Sequence, residues 1–161
     1  MESITVMPRF SNDSRNEFLQ IKIMPQFLKI HRVLQIHESQ IELFGGSSGI
    51  RDRGLLESAL AMPQASFGGT YLHPDIHAMA AAYLFHIVSN HPFIDGNKRT
   101  GTAVALFFLK LNGIDPDIED TALESLVLSV ACGETNKDAI AAFFRKHCPP
   151  AEDVKKTGPP P

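Results

Sequence analysis

The chain has 161 residues, enough for one domain with a sizeable core. A formal net charge of −3 argues against nonspecific nucleic-acid binding, and two cysteines, Cys132 and Cys148, make no disulfide framework. No apolar run reaches the ~20 residues of a membrane span and neither end reads as a signal peptide, so a cytoplasmic protein with no membrane partner is expected.

Residues 1 to 24 mix Ser, Asn, Asp and Arg with little periodicity and read as an N-terminal extension. The domain is expected over 25–148, entered through Pro25, Gln26, Phe27 and Leu28. A first helix carries Ile30, Val33, Leu34 and Ile41 on one face, and His37 shares that face. Gly45 to Asp52 is glycine-rich, but it lacks a phosphate-loop lysine and follows no clear strand. It reads as a connector, with Asp52 capping a helix from Arg53 to Met62 and Arg51 a weak candidate for the site. Ala65 to Tyr71 combines Gly68 and Gly69 with β-favouring Phe67, Thr70 and Tyr71, and is too broken for a helix.

Asp75, after Pro74, caps a helix whose inner face is Ile76, Met79, Ala80, Tyr83, Leu84, Ile87 and Val88. His73 and His77 lie four apart, but His73 precedes the proline and no third ligand is near, so no metal pair is expected.

The segment His91 to Gly101, HPFIDGNKRTG, carries the chemistry. A histidine can take a proton near neutral pH, which makes His91 the candidate base. Asp95 is a hard oxygen ligand of the kind Mg²⁺ takes alongside phosphates and water. Gly96 lets the backbone turn and approach a ligand. Asn97, Lys98 and Arg99 open a helix, where free N–H groups and the positive dipole end favour anions. Lys98 adds a point charge and Arg99 a two-pronged donor. Each residue also has a plainer reading: Asp95 as a cap, Asn97 as a turn residue, Lys98 and Arg99 as a solvated pair. The following helix, to Leu111, is apolar nearly all round and is expected to be the buried central one.

Asn112-Gly113 ends that helix. Thr121 to Glu124 has the form of a capping box for a helix bearing Leu123, Leu126, Val127 and Val130. Thr135 to Asp138 opens another, with Ile140, Phe143 and Phe144 inward. Residues 149–161 read as a disordered, proline-ended tail. With no βαβ alternation and no repeat, the fold class is all-α, a helical bundle with room for one small β-hairpin.

The motif resembles the signature of Fic-domain (Fic/Doc) proteins, His-Pro-Phe-x-(Asp/Glu)-Gly-Asn-(Gly/Lys)-Arg. Ile30 to Leu60, Leu111 to Gly113 and Ala131 to Phe144 look like the death-on-curing (Doc) toxin branch, so the resemblance covers roughly 25 to 147. AMP-transferring Fic enzymes carry a second glycine and a second arginine where this chain has Lys98 and Thr102. Yet His-Pro-Phe and Gly96 are closer to their pattern.

The resemblance implies a nucleotide-dependent protein-modifying transferase with ATP as co-substrate and Mg²⁺ as metal. His91 would be the base, Asp95 the metal ligand, and Gly96, Asn97, Lys98 and Arg99 the nucleotide-binding set. It also implies a target-holding flap at Phe67, Gly68 and Tyr71, for which an ordinary loop is the plainer reading. Lys98 favours a kinase of Doc type, acting on a translation elongation factor and arresting translation. AMP transfer (AMPylation), a non-catalytic nucleotide-binding module and a metal-dependent hydrolase are the alternatives. Fic proteins that inhibit themselves carry a glutamate followed by Gly or Asn. Here no glutamate is so followed, so a cognate antitoxin in trans is expected.

Overall fold

The computed structural model describes residues 24–150. Most of the expected N-terminal extension and C-terminal tail lies outside that range. The described residues form six α-helices and one small hairpin: α1 (Ile30–Phe44), α2 (Arg53–Ala61), β1 (Ser66–Phe67), β2 (Thr70–Tyr71), α3 (Ile76–Asn90), α4 (Asn97–Leu111), α5 (Asp120–Ala131) and α6 (Lys137–His147). None is long and apolar enough to cross a membrane.

The central helix is α3, not α4 as expected. α3 packs against α2, α4, α5 and α6. Ala78, Ala80, Ala81 and Ala82 are all buried. Their small side chains leave a thin rod that neighbours can approach from several sides. α4 buries Val104, Ala105, Phe108 and Leu109, but Phe107 and Leu111 stay exposed. Its bulk prevents burial all round. Gly101 lets α4 sit close against α3, since a Cβ there would lie 2.9 Å from Val88 Cγ2.

Caps set several helix starts. Asp75 accepts from Ala78 N at 2.8 Å and Asp52 from Leu55 N at 2.9 Å, as expected. α2 ends a residue early, at Ala61, and a 3₁₀ turn over Met62–Gln64 follows, because Pro63 has no N–H to continue the helix. The expected Thr121 capping box does not form. α5 begins at Asp120 after Glu119, and the Thr121 hydroxyl donates to Glu119 Oε1 at 2.9 Å. α6 is capped by Asn136, which accepts from Ala139 N at 2.9 Å. Arg145 on α6 grips the Asp75 carboxylate, Nε to Oδ2 at 2.9 Å and Nη2 to Oδ1 at 3.2 Å.

The hairpin pairs Ser66 with Tyr71 and Phe67 with Thr70. Gly68 (φ 58°) and Gly69 (φ 80°) both take left-handed backbone, which matches the strand twist of a two-residue hairpin. Tyr71 packs edge-on against Phe27, with ring centroids 5.6 Å apart. Phe67 remains 84% exposed. The lead-in is tied down by Asn112, which accepts from Gln26 N at 2.8 Å and donates to Gln26 O at 3.1 Å.

Candidate active site

The motif forms the corner between α3 and α4. α3 stops at Asn90, and His91 adopts left-handed backbone, φ 48° and ψ 55°, the one non-glycine among the described residues with positive φ. Pro92 disfavours continued helix at the residue before it. Helix ends leave carbonyls without partners, and Arg51 supplies them. Its Nη2 donates to Asn90 O at 2.8 Å and its Nε to His91 O at 2.6 Å. The imidazole of His91 is on the exposed side of the corner.

The connector between α1 and α2 runs along the motif. Arg51 N and Asp52 N donate to Pro92 O at 2.7 and 3.0 Å, and Ile94 N donates to Gly49 O at 3.1 Å. Phe93 is fully buried, and His37 stacks on it with ring centroids 3.9 Å apart. His37 Nδ1 lies 3.0 Å from Thr100 Oγ1, while its buried Nε2 has no partner among the described residues. Burial lowers the His37 pKa, so the ring is neutral at pH 7.

Asp95 is exposed, and its carboxylate is bracketed by backbone. Oδ1 accepts from Gly96 N at 2.7 Å and Oδ2 from Ser47 N at 3.1 Å. The Ser47 and Gly96 N–H groups hold the carboxyl below the usual carboxylate range, so it is ionised at neutral pH. Among the described residues no cluster of three or more His, Cys, Asp or Glu side chains could hold a metal by itself. A single exposed, ionised carboxylate such as Asp95 is the kind of oxygen ligand that Mg²⁺ takes beside phosphate and water.

α4 opens at Gly96 (φ 74°) with no side-chain cap, which leaves its positive end available to an anion. Lys98 is exposed beside it, and among the described residues neither Lys98 nor Arg99 pairs with a carboxylate. Arg99 is partly engaged: Nη1 donates to Gln40 O at 3.1 Å and Nη2 to Gly45 O at 3.0 Å. The Asn97 side chain clamps Phe93, accepting from its N–H at 2.9 Å and donating to its carbonyl at 3.0 Å. That amide shapes the loop, and its own backbone N–H faces the helix start.

The structure thus brings His91, Asp95, Gly96, Asn97, Lys98 and Arg99 to one corner. In the hairpin, Phe67 and Gly68 are exposed, whereas Tyr71 is half-buried against Phe27. Sequence reasoning missed Ser47, Gln40 and the bracing roles of Arg51 and His37. His37 had a readable signal, its place on the inner face of α1. The backbone donors and acceptors had none. His77 Nε2 bonds the Cys148 carbonyl at 2.6 Å.

A helical bundle with this corner defines the class, and the chain belongs to the Fic/DOC family, whose pattern matches residues 27–109. It is similar to Toxin Doc of Mycolicibacterium smegmatis, 42% identical over 101 residues, covering 62% of this chain and 78% of that protein. It is also similar to Protein kinase doc of Escherichia phage P1, 30% identical over 114 residues, covering 71% of this chain and 89% of that one.

Proposed function

We propose that this protein is a Doc-like toxin of a type II toxin–antitoxin system, a cytoplasmic protein kinase that transfers the γ-phosphoryl group of ATP to a Ser or Thr hydroxyl. The observation that carries the reading is the corner itself. An exposed imidazole sits on a braced backbone beside an ionised carboxylate and an uncapped helix start flanked by Lys98.

In the reaction, the target hydroxyl oxygen bonds to the γ-phosphorus as the bond to the β–γ bridging oxygen breaks. ADP leaves, and the hydroxyl proton passes to His91. Lys98, Arg99 and the α4 N–H groups orient the phosphates, and Asp95 is the residue that would hold Mg²⁺. A bound Mg²⁺ supplies neutralisation of the phosphate charge. Catalysis of this kind rests on positioning and electrostatics.

Protein kinase doc lends the kinase reading its support, and Lys98 in place of glycine is consistent with it. AMP transfer is the second reading, favoured by Gly96 and the His-Pro-Phe start. The target is expected to be a translation elongation factor, held in extended form along the hairpin, whose exposed Phe67 suits such backbone pairing. The inhibitor is expected to be an antitoxin in trans. A groove of about 710 Å³ between α1, α4 and α5, lined by Leu43, Phe44, Lys98 and Leu128 among others, gives such a chain an apolar seat beside the phosphate site.

The test uses ATP labelled at the α- or the γ-phosphate, Mg²⁺, a bacterial extract and His91→Ala as control. General-base help is worth ~10²–10⁴-fold, so the variant should transfer almost nothing. γ-label on one protein band, absent with the variant, is the expected result. α-label would mean AMP transfer, and an Ala variant that kept its rate would sink the base assignment.

A further inference from the structure

The connector between α1 and α2 does more than join two helices. Its glycines Gly45 (φ 80°), Gly46 (φ 116°) and Gly49 (φ 122°) all take backbone that L side chains rarely adopt. At Gly45 a Cβ would meet nothing within 4 Å, so only the backbone conformation favours glycine there. Gly46 is different. A Cβ there would lie 2.5 Å from Asp95 Oδ2 and 3.2 Å from Arg99 Nη2. The connector therefore lies directly against the one carboxylate and the one arginine of the motif. It also bonds to both: Ser47 N donates to Asp95 Oδ2 at 3.1 Å, and Gly45 O accepts from Arg99 Nη2 at 3.0 Å.

These contacts form a closed circuit. Arg99 ties the connector down through its first glycine, the missing side chain of Gly46 lets it settle on Asp95, and the Ser47 N–H then fixes one carboxylate oxygen. The other oxygen is fixed by Gly96 N. A carboxylate gripped at both oxygens cannot swing, yet each oxygen keeps lone pairs for a cation.

We propose that Gly46 and the Ser47 N–H are positioning elements of the phosphate-transfer site, orienting Asp95 toward the metal-bound nucleotide. The inference rests on the kinase reading above and deepens it. It differs from the glycine-rich phosphate loops, because the connector addresses the metal carboxylate and the arginine instead of the phosphates.

The position predicts an asymmetry. The atom nearest the Gly46 Cβ is the tip of Asp95, so a methyl group there would turn the carboxylate and break its bond to Ser47. Arg99 Nη2, 3.2 Å from that Cβ, would give by a few tenths of an ångström, and the α4 N–H groups and Lys98 are not among its neighbours. Gly46→Ala should therefore weaken binding of Mg-ATP more than binding of metal-free ATP. Residues that orient a metal ligand are worth roughly 10–100-fold in metal affinity, and a loss in that range is expected.

The experiment compares wild type, Gly46→Ala, Asp95→Ala and the double variant, with Gly113→Ala as control. Gly113 also has a positive φ (82°, against 116° at Gly46) and, among the described residues, nothing within 4 Å, so its variant carries backbone strain without the collision. Two readouts are taken: the Ser47 amide resonance, with no nucleotide present, and calorimetric binding of ATP with and without Mg²⁺. Gly46→Ala and Asp95→Ala should both move the Ser47 amide. Both should lose the same Mg²⁺-dependent share of ATP affinity, and the double variant should lose no more than either. A folded Gly46→Ala whose Ser47 amide and Mg-ATP affinity match wild type would overturn the inference. So would equal loss of metal-free ATP binding. A wild-type protein that binds no ATP would overturn the kinase reading instead, and the Ser47 amide would then judge the contact alone.

Discussion

His91 holds a backbone conformation that costs a non-glycine residue about 1–3 kcal/mol. Two bonds from the Arg51 guanidinium to the carbonyls of Asn90 and His91 offset it, since hydrogen bonds to charged groups are worth about 1.5–3 kcal/mol each. The corner is thus braced from a connector 40 residues away in sequence. His37 braces it from below. Its Nδ1 meets Thr100, yet its buried Nε2 has no partner among the described residues, which penalises the ring in a core position. His37→Phe keeps an aromatic stack on Phe93 but strands the Thr100 hydroxyl, and should lower stability by about 1 kcal/mol. Adding Thr100→Val removes the stranded group as well. Urea unfolding should find the double variant at least as stable as wild type, and a double variant weaker than His37→Phe would refute this account.

α3 and α4 pack closely at Gly101. Glycine inside a helix costs about 1 kcal/mol relative to alanine, so Gly101→Ala gains on propensity. Against that, the new Cβ would lie 2.9 Å from Val88 Cγ2 and 3.4 Å from Ile87 Cγ2, both on fully buried side chains. Overpacking of such a site costs about 1–3 kcal/mol, and the neighbours have nowhere to go. Crowding should win, and thermal unfolding of Gly101→Ala should begin at lower temperature. A variant as stable as wild type would mean that α4 can slide on α3. The caps at Asp52 and Asp75 were legible because each acts within three residues, whereas the helix expected to open at Thr135 is capped one residue later, by Asn136. The Thr121 box failed because Glu119 competed for the hydroxyl that should have capped. The hairpin turn was half legible, since Gly68-Gly69 suits it but two-residue strands carry almost no periodicity.

Over the whole molecule, stability should fall with acid in a window set by half-buried His86 and buried His37. Burial, followed by the charges of Lys137 and His73, pushes the His86 pKa down to about 4 from an ordinary 6.5. The sign follows from proton uptake: between those values the unfolded chain binds a proton that the folded one refuses, so stability rises with pH there. Burial moves His37 in the same direction. Unfolding free energy should therefore drop from pH 6.5 toward 4, and His86→Leu should flatten the slope. An unchanged slope in that variant would assign the acid sensitivity elsewhere.

The helices, most of their caps and the identity of the motif were determined by the sequence alone. They depend on periodicity and on contacts within a few residues, which any segment carries with it. The tertiary structure alone decided which helix is central, because that turns on side-chain volume compared across elements, and the alanines of α3 outrank the larger residues of α4. It alone decided that the connector at Gly45 to Asp52 belongs to the site. That partnership joins Ser47 to Asp95 across 48 residues: the glycines of the connector are visible in the sequence, but the backbone N–H that meets the carboxylate carries no residue-type signal.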